Sequence, residues 1–307
     1  MRVALSTDME GASWITDYRE ICPAFPEYWR TGRQRFTTDV VAAALGLLDG
    51  GATEVGVRDG HGFTWRNIIS EQLPDRAALV GPSILPGEYD AAFQLGFHAR
   101  CGTPNGFLAH TMAPGLAVAL DGAPIAESHL SAFTRGVPLL GVVGDAALGR
   151  QLTGTLGGTP FLAVKGSTSK RDTVPVCADP AASAVAIRTF AARCAREWRE
   201  RSTPAPPPRF RLEFSMAPEL AARVAGKHGW ELASPAVVRL EASDWAATAE
   251  ARAAAVQAAA QSLFDAGGDF DVSSEASVAR QPADKIERLR LYITDFANSE
   301  DPAWRTE

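Results

Sequence analysis

The chain alternates short apolar runs with longer stretches whose apolar residues recur at helical spacing. Val3-Ala4-Leu5, after Arg2, reads as a buried first strand. Residues 32–49 place Val40, Val41, Ala44, Leu45 and Leu48 on one face of a helix that Gly50-Gly51 stops. Residues 54–58 are a second strand. Strand, helix and strand of these lengths predict a βαβ unit with parallel strands and a right-handed crossover. Further strands are expected over 77–80, 89–99, 116–120 and 160–164. The uninterrupted apolar run over 137–143 has the pattern of a central strand covered on both faces. Asp121-Gly122 predicts a hairpin turn, after which residues 123–134 read as helix. Gly144-Asp145 opens another helix, and Asp179 with Pro180 caps and starts an amphipathic one reaching residue 199. Residues 12–30, rich in aromatics and prolines, read as a loop that covers a cleft or meets another subunit.

Residues 203–208, Thr-Pro-Ala-Pro-Pro-Pro, form a stiff linker and the predicted domain boundary. Beyond it, 210–214 and 236–241 read as strands and 246–264 as an alanine-rich helix. The expected architecture is therefore α/β, a mainly parallel sheet flanked by helices, with a smaller α+β C-terminal unit. Its parts are a metal-binding catalytic domain over 1–201, a linker over 202–209, the small unit over 210–266 and a tail over 267–307. Periodicity fades in that tail, where 288–293 is read as a late strand or docking segment. There is no internal repeat and no phosphate-binding glycine motif.

Composition narrows the classes. The 307 residues, 46% hydrophobic and 21% charged, suit one large or two smaller folded domains. A net charge of −6 without a basic cluster argues against a nucleic-acid partner. No apolar stretch approaches the roughly 18 residues of a membrane span, and no basic-then-apolar leader opens the chain. The expectation is a cytoplasmic protein with no membrane partner. Cys22, Cys101, Cys177 and Cys194 lack C-x-x-C spacing and read as free thiols, so a metal site must draw on histidines and carboxylates.

Such groups gather at predicted strand ends. Asp8 and Glu10 leave the first strand on a loop bent at Gly11, and Asp59, His61, His98 and Glu127 follow other strands. Asp8, Glu10, His61, His98 and Glu127 offer only imidazole and carboxylate, the donor set of a hydrolytic zinc site. Two metals about 3.5–4 Å apart on a shared carboxylate need about this many ligands. His110 joins His61 and His98 on a strand end or the loop after it. Other residues carry plainer readings. Asp59 orients His61 or its loop; Asp145 is an N-cap or a site residue. Lys165 reads as a surface lysine ahead of a partner for a ligand or substrate carboxylate. His129 and His228 read as structural or exposed, and Trp14 as packing rather than a gate.

Taken together, Ser6-Thr7-Asp8-Met9-Glu10-Gly11, Asp59-Gly60-His61, Leu95-Gly96-Phe97-His98-Ala99-Arg100, Ala109-His110-Thr111-Met112 and Pro124-Ile125-Ala126-Glu127 stand in a familiar order. With them the chain resembles the zinc-dependent D-aminopeptidases associated with dipeptide-transport operons. The resemblance continues through Val142-Val143-Gly144-Asp145 and Ala163-Val164-Lys165 to about Phe264. It implies a metallo-aminopeptidase that releases N-terminal D-residues from short peptides, with two zinc ions per subunit. Asp8 matches the bridging ligand, Glu10 and His61 complete one metal, and His98 and Glu127 complete the other. His110 matches a catalytic histidine that is not a ligand, acting as oxyanion stabiliser or proton shuttle. The family also implies a ring-built homo-oligomer, a decamer of two five-fold rings. Departures outside the ligands, such as Thr7, the proline/aromatic loop and the tail, favour one rival reading, an amidase using the same site on another small amide; complete retention of the ligand set speaks against a second rival, a non-enzymatic ring-forming binding protein.

Overall fold

Strands buried on both faces pair in parallel when helices cross over between them, and the computed structural model has that arrangement. It describes residues 1–62, 67–81, 87–156, 158–260, 277 and 279–299. The main sheet has seven strands: β1 (Arg2–Thr7), β2 (Glu54–Asp59), β3 (Ala77–Leu79), β4 (Ala91–Phe97), β7 (Leu139–Asp145), β8 (Phe161–Ser167) and β9 (Thr173–Pro175). Their order is β3-β2-β1-β4-β7-β8-β9, parallel except for the antiparallel β8–β9 edge. Helices α1 (Pro26–Asp49) and α4 (Pro180–Arg196) pack together on one face. Phe93 and Leu95 of β4 and Leu140 and Val143 of β7 point into that core, while Ala92, Leu139 and Val142 join the core of the opposite face.

The opposite face carries α2 (Glu127–Arg135), α3 (Ala146–Leu152) and a five-stranded antiparallel sheet. That sheet, in the order β11-β12-β10-β5-β6, joins β5 (Ala117–Leu120) and β6 (Ala123–Ile125) from before the proline linker to β10 (Phe210–Ser215), β11 (Glu231–Ser234) and β12 (Val237–Ala242) from after it. Helices α5 (Pro218–Val224) and α6 (Ala249–Ala259) complete the unit. β5 and β10 pair from Leu212 opposite Leu120 to Ser215 opposite Ala117, so the two sides of the linker share one sheet.

Three local expectations change. The helix expected from residue 32 begins at Pro26, because Pro at its first turn sets the backbone for a helix the aromatic loop was read to exclude. Residues 123–125 are not helical: Asp121 and Gly122, with φ of 52° and 83°, return the chain as β6 before α2 begins. Residues 288–293 lie within a helix, α7 (Ala283–Asn298), rather than a strand. Ile286, Leu289, Ile293 and Phe296 recur at helical spacing there, and Leu289, Ile293 and Phe296 are buried in the α1/α4 core. The expected end of the alanine-rich helix beyond residue 260, and the tail at 267–276, 278 and 300–307, lie outside the described residues.

The strand order places the site. The chain lays β2 and β3 on one side of β1, then crosses to put β4 on the other. Loops leaving the carboxyl ends of β1 and β4 therefore diverge and open a crevice. Here the two loops also interlock. Asp8 N donates to Leu95 O (2.9 Å) and Gly11 N to Gly96 O (2.7 Å). Gly96 has φ +77°, and a Cβ there would lie 1.9 Å from the Asp8 carbonyl oxygen. Gly96→Ala combines a left-handed backbone penalty of ~1–2 kcal/mol with that clash, so its urea midpoint should fall by at least that equivalent. An unchanged midpoint would show that the loops do not depend on one another.

Candidate metal centre

The crevice gathers the five proposed ligands and His110, and all of these but His98 line one cavity of about 60 Å³, room for a handful of waters. Asp8 and Glu10 follow β1, His61 follows β2, His98 follows β4, and Glu127 is the first residue of α2. Asp8, Glu10, His61 and His98 are all buried. Two sets of potential ligand atoms, from Asp8/Glu10/His61 and from Asp8/His98/Glu127, each lie within 4.8 Å of one another. Asp8 belongs to both. Glu10, His98 and His110 form a third such set.

Backbone carbonyls fix both histidines. His61 Nε2 donates to Ile21 O (2.9 Å), which turns Nδ1 to Asp8 Oδ1 (3.3 Å) and Glu10 Oε2 (3.1 Å). His98 Nδ1 donates to Ala99 O (3.0 Å), leaving Nε2 3.2 Å from Asp8 Oδ2. A carbonyl only accepts, so the neutral form of each ring carries its lone pair on the nitrogen facing the carboxylates. Nε2 of His98 is buried without a hydrogen-bond partner. Acceptor atoms turned toward other acceptors in a dry site suit a cation among them, and an imidazole whose far N–H is held by a carbonyl is a usual metal ligand. The residues fit a zinc centre.

The charge balance agrees. Burial would raise the Asp8 carboxyl, but the two neighbouring imidazoles outweigh it and hold Asp8 well below the usual range. Burial would lower His61, yet Glu10 and Asp8 raise it well above its ordinary value. Against burial, Asp8, Glu10 and Glu127 push His98 up to about 10. Glu127 is itself raised to about 7 by burial and by the Asp8 charge. Without a metal, the cluster offsets its carboxylates by holding protons.

His110 differs from the ligands. Its Nδ1 donates to Leu108 O (2.8 Å), its ring stacks on His98 (centroids 4.2 Å, 22°), and its outer edge meets Phe296 (5.6 Å, 89°). Burial and the His98 charge lower it to about 4, so it is neutral at pH 7. Leu108 and Met112 on either side have φ of 47° and 66°, uncommon for non-glycine residues. Leu108 N bonds to Lys170 O (2.9 Å), Cys101 N to Thr111 Oγ1 (3.2 Å), and Met112 N to Glu127 Oε2 (3.0 Å). Those bonds hold the loop in its uncommon conformation.

Surrounding residues sort clearly. Asp59 accepts from Asn67 N (2.7 Å), Asn67 Nδ2 (3.1 Å) and Ile68 N (3.3 Å), so it holds residues 67 and 68 rather than the His61 imidazole. Asp145 caps α3 through Leu148 N (2.7 Å) and also accepts Ala99 N (3.0 Å), bracing the residue after His98. His129 is buried and structural, accepting Ala126 N at Nδ1 (3.2 Å) and facing Thr155 Oγ1 with Nε2 (2.9 Å). The His228 side chain is exposed, near Glu250. Trp14 donates to Ser183 Oγ (3.0 Å) and packs rather than gates.

Lys165 overturns its surface reading: it is 0% exposed. Its Nζ donates to Ile15 O (2.6 Å) and stands 4.3 Å from the Phe107 ring centre. A strand-end lysine gives no sequence sign of such burial. Asp39 of α1 is buried too, accepting Ser13 N (2.7 Å) and Oγ (2.9 Å). Together they fix residues 13–15 behind the ligand loop. Ile293 and Phe296 on the cavity wall also escaped the sequence reading, although their spacing in α7 carried the signal.

Burial lowers Lys165 from 10.5 to about 8, against the pull of Asp145 and other carboxylates. Between those values the unfolded chain binds more protons, so this lysine's cost to stability shrinks as pH rises through that window. Unfolding titrations at pH 8 and 10 should therefore show wild type gaining stability relative to Lys165→Met. A pH-independent difference would mean that Lys165 titrates normally in the fold.

Comparison with known proteins bears on this arrangement. A family model described as D-aminopeptidase matches residues 1–254. The curated D-aminopeptidase of Bacillus subtilis (strain 168) is 29% identical over 182 residues, 55% of this chain and 65% of that protein, so the match spans less than two thirds of the relative's length. The solved structure of the Zn-dependent D-aminopeptidase DppA from Bacillus subtilis, a self-compartmentalizing protease, aligns with a TM-score of 0.77 at 25% identity. That alignment covers 84% of this chain and 98% of the other.

Proposed function

The chain belongs to the D-aminopeptidase family, and on that footing we propose that it is a dinuclear zinc aminopeptidase releasing N-terminal D-residues from short peptides. The observation that carries the reading is Asp8, shared by two sets of potential ligand atoms. Asp8, Glu10 and His61 hold one ion and Asp8, His98 and Glu127 the other. When bound, the ions supply Lewis acidity, polarising the amide carbonyl and making water nucleophilic near neutral pH.

The protein's own groups do the rest. His110, neutral and with Nδ1 committed to Leu108 O, accepts at Nε2 the proton that the attacking water loses and passes it to the leaving amine as the amide breaks. Its partners on Leu108, Thr111 and Met112 keep that atom in place. Ile21, Met112 and Pro114 line the cavity beside the carboxylates, giving an apolar face for a small side chain. Among the described residues no helix is long and apolar enough to cross a membrane. The self-compartmentalizing relative supports a homo-oligomer here, and we propose that it is a ring-built decamer with its sites facing an inner chamber.

Metal counting by mass spectrometry tests the ligand assignment. Asp8→Ala should lose both ions and Glu10→Ala one. His110→Ala should keep both while kcat drops ~10²–10⁴-fold, the usual worth of a positioned proton-transfer group. Retention of both ions by Asp8→Ala would refute the shared-ligand assignment.

Zinc uptake at pH 7 should release protons, because His61 and His98 must shed protons that the carboxylates hold on them. The affinity should therefore weaken as pH falls, as read by calorimetry in buffers of different ionisation heat. On zinc-loaded protein, D-Ala-D-Ala should be cleaved in preference to L-Ala-L-Ala. Absence of a D-preference would overturn the substrate class, and inactivity toward every peptide and amide tried would overturn the enzyme reading.

A further inference from the structure

Helix α7 lies beyond residue 254, where the family match ends, yet it walls the cavity that holds the proposed ligands. Ile293 and Phe296 line that cavity together with Asp8 and Glu10, and the Phe296 ring stands at right angles to that of His110. The helix is docked firmly. Leu289 and Ile293 are buried in the core, Arg290 Nε donates to Ala24 O (2.7 Å), and Tyr18 Oη faces Thr294 Oγ1 (3.4 Å). At its C-terminal end Lys170 Nζ reaches Ser299 O (3.3 Å) and lies 4.1 Å from the Phe296 ring centre, while Arg171 bonds to Asn298 Oδ1 (2.5 Å). The same residue 170 accepts Leu108 N through its carbonyl, so one turn of chain braces both the His110 loop and α7.

We propose that α7 is a specificity element, in which Phe296 and Ile293 limit the substrate residues beside the scissile amide to small side chains. The inference rests on the aminopeptidase reading and deepens it. The Phe296 ring rests against His110 on a helix held by core burial and by contacts at its middle and its C-terminal end. Phe296 and Ile293 share that lining with Ile21, Met112 and Pro114, so a side chain placed beside the carboxylates meets an apolar wall. A hydrophobic wall of this kind discriminates by steric exclusion, and one or a few carbons then change kcat/KM by ~10–200-fold.

The test uses the full-length zinc-loaded protein and two dipeptide series, D-Xaa-D-Ala and D-Ala-D-Xaa, with Xaa of alanine, leucine or phenylalanine. Calorimetric binding of D-alanine hydroxamate and D-phenylalanine hydroxamate gives a readout independent of turnover. Wild type should favour alanine over phenylalanine in at least one series and bind the smaller hydroxamate more tightly. Phe296→Ala should narrow both preferences by ~10-fold or more, with Phe296→Leu and Ile293→Ala intermediate and Phe296→Trp sharpening them. The conservative leucine variant keeps the test decisive if the alanine variant fails to fold. Unchanged size preferences in active, folded variants would overturn the proposal and leave the aminopeptidase reading standing. A zinc-loaded wild type that cleaves no dipeptide would overturn the aminopeptidase reading, while the hydroxamate preference would still report on the wall.

Discussion

Asp8, Glu10 and Glu127 bring three carboxylates to the wall of one small cavity, and the surrounding structure is arranged to hold that charge. Like charges at such distances repel strongly where the dielectric is low. Two imidazoles intervene, and each is turned toward the carboxylates by a carbonyl behind it, Ile21 O for His61 and Ala99 O for His98. Neither ring is free to rotate away. The site is thus pre-arranged for cations, with its orientation set by backbone atoms that substitutions of side chains elsewhere do not remove.

The backbone itself is held from behind. The loop carrying Asp8 and Glu10 is fastened to the end of β4 on one side and to α1 on the other, the latter through Ser13 and Asp39. Lys165, carried by β8 two strands beyond β4, reaches Ile15 of the same segment. A buried ammonium among buried carboxylates is a costly device, and its position suggests why it is tolerated: it fixes the stretch that places the shared ligand. Glu20 extends the arrangement by accepting Thr16 N (2.9 Å) and pairing with Arg35.

Much of this was readable in the residues. The alternation of apolar runs and amphipathic stretches yields the parallel sheet because strand burial and helix faces are local patterns. The ligands declare themselves because His61, His98 and Glu127 stand just past strands or strand-like turns. What the pattern does not convey is which distant segments meet. Lys165 looks like any strand-end lysine until β8 is laid beside β7 and Ile15 arrives from the first loop. The join of β5–β6 with β10–β12 across the prolines is equally hidden, since a stiff linker marks a change of direction without saying where the chain returns. Helix α7 is misread as a strand or docking segment although Ile286, Leu289, Ile293 and Phe296 recur at helical spacing, and its closeness to His110 depends on a meeting of segments far apart in the chain.

That separation has a kinetic side. Arg290 and its acceptor at Ala24 are 266 residues apart, and Lys165 and Ile15 are 150 apart. Contacts between remote segments must overcome loop-closure entropy before they stabilise anything, so they slow folding relative to local ones. During synthesis the sheet and the ligand loops emerge long before α7. The wall beside His110 is thus made by a segment that meets the rest of the pocket only through contacts of very long sequence separation.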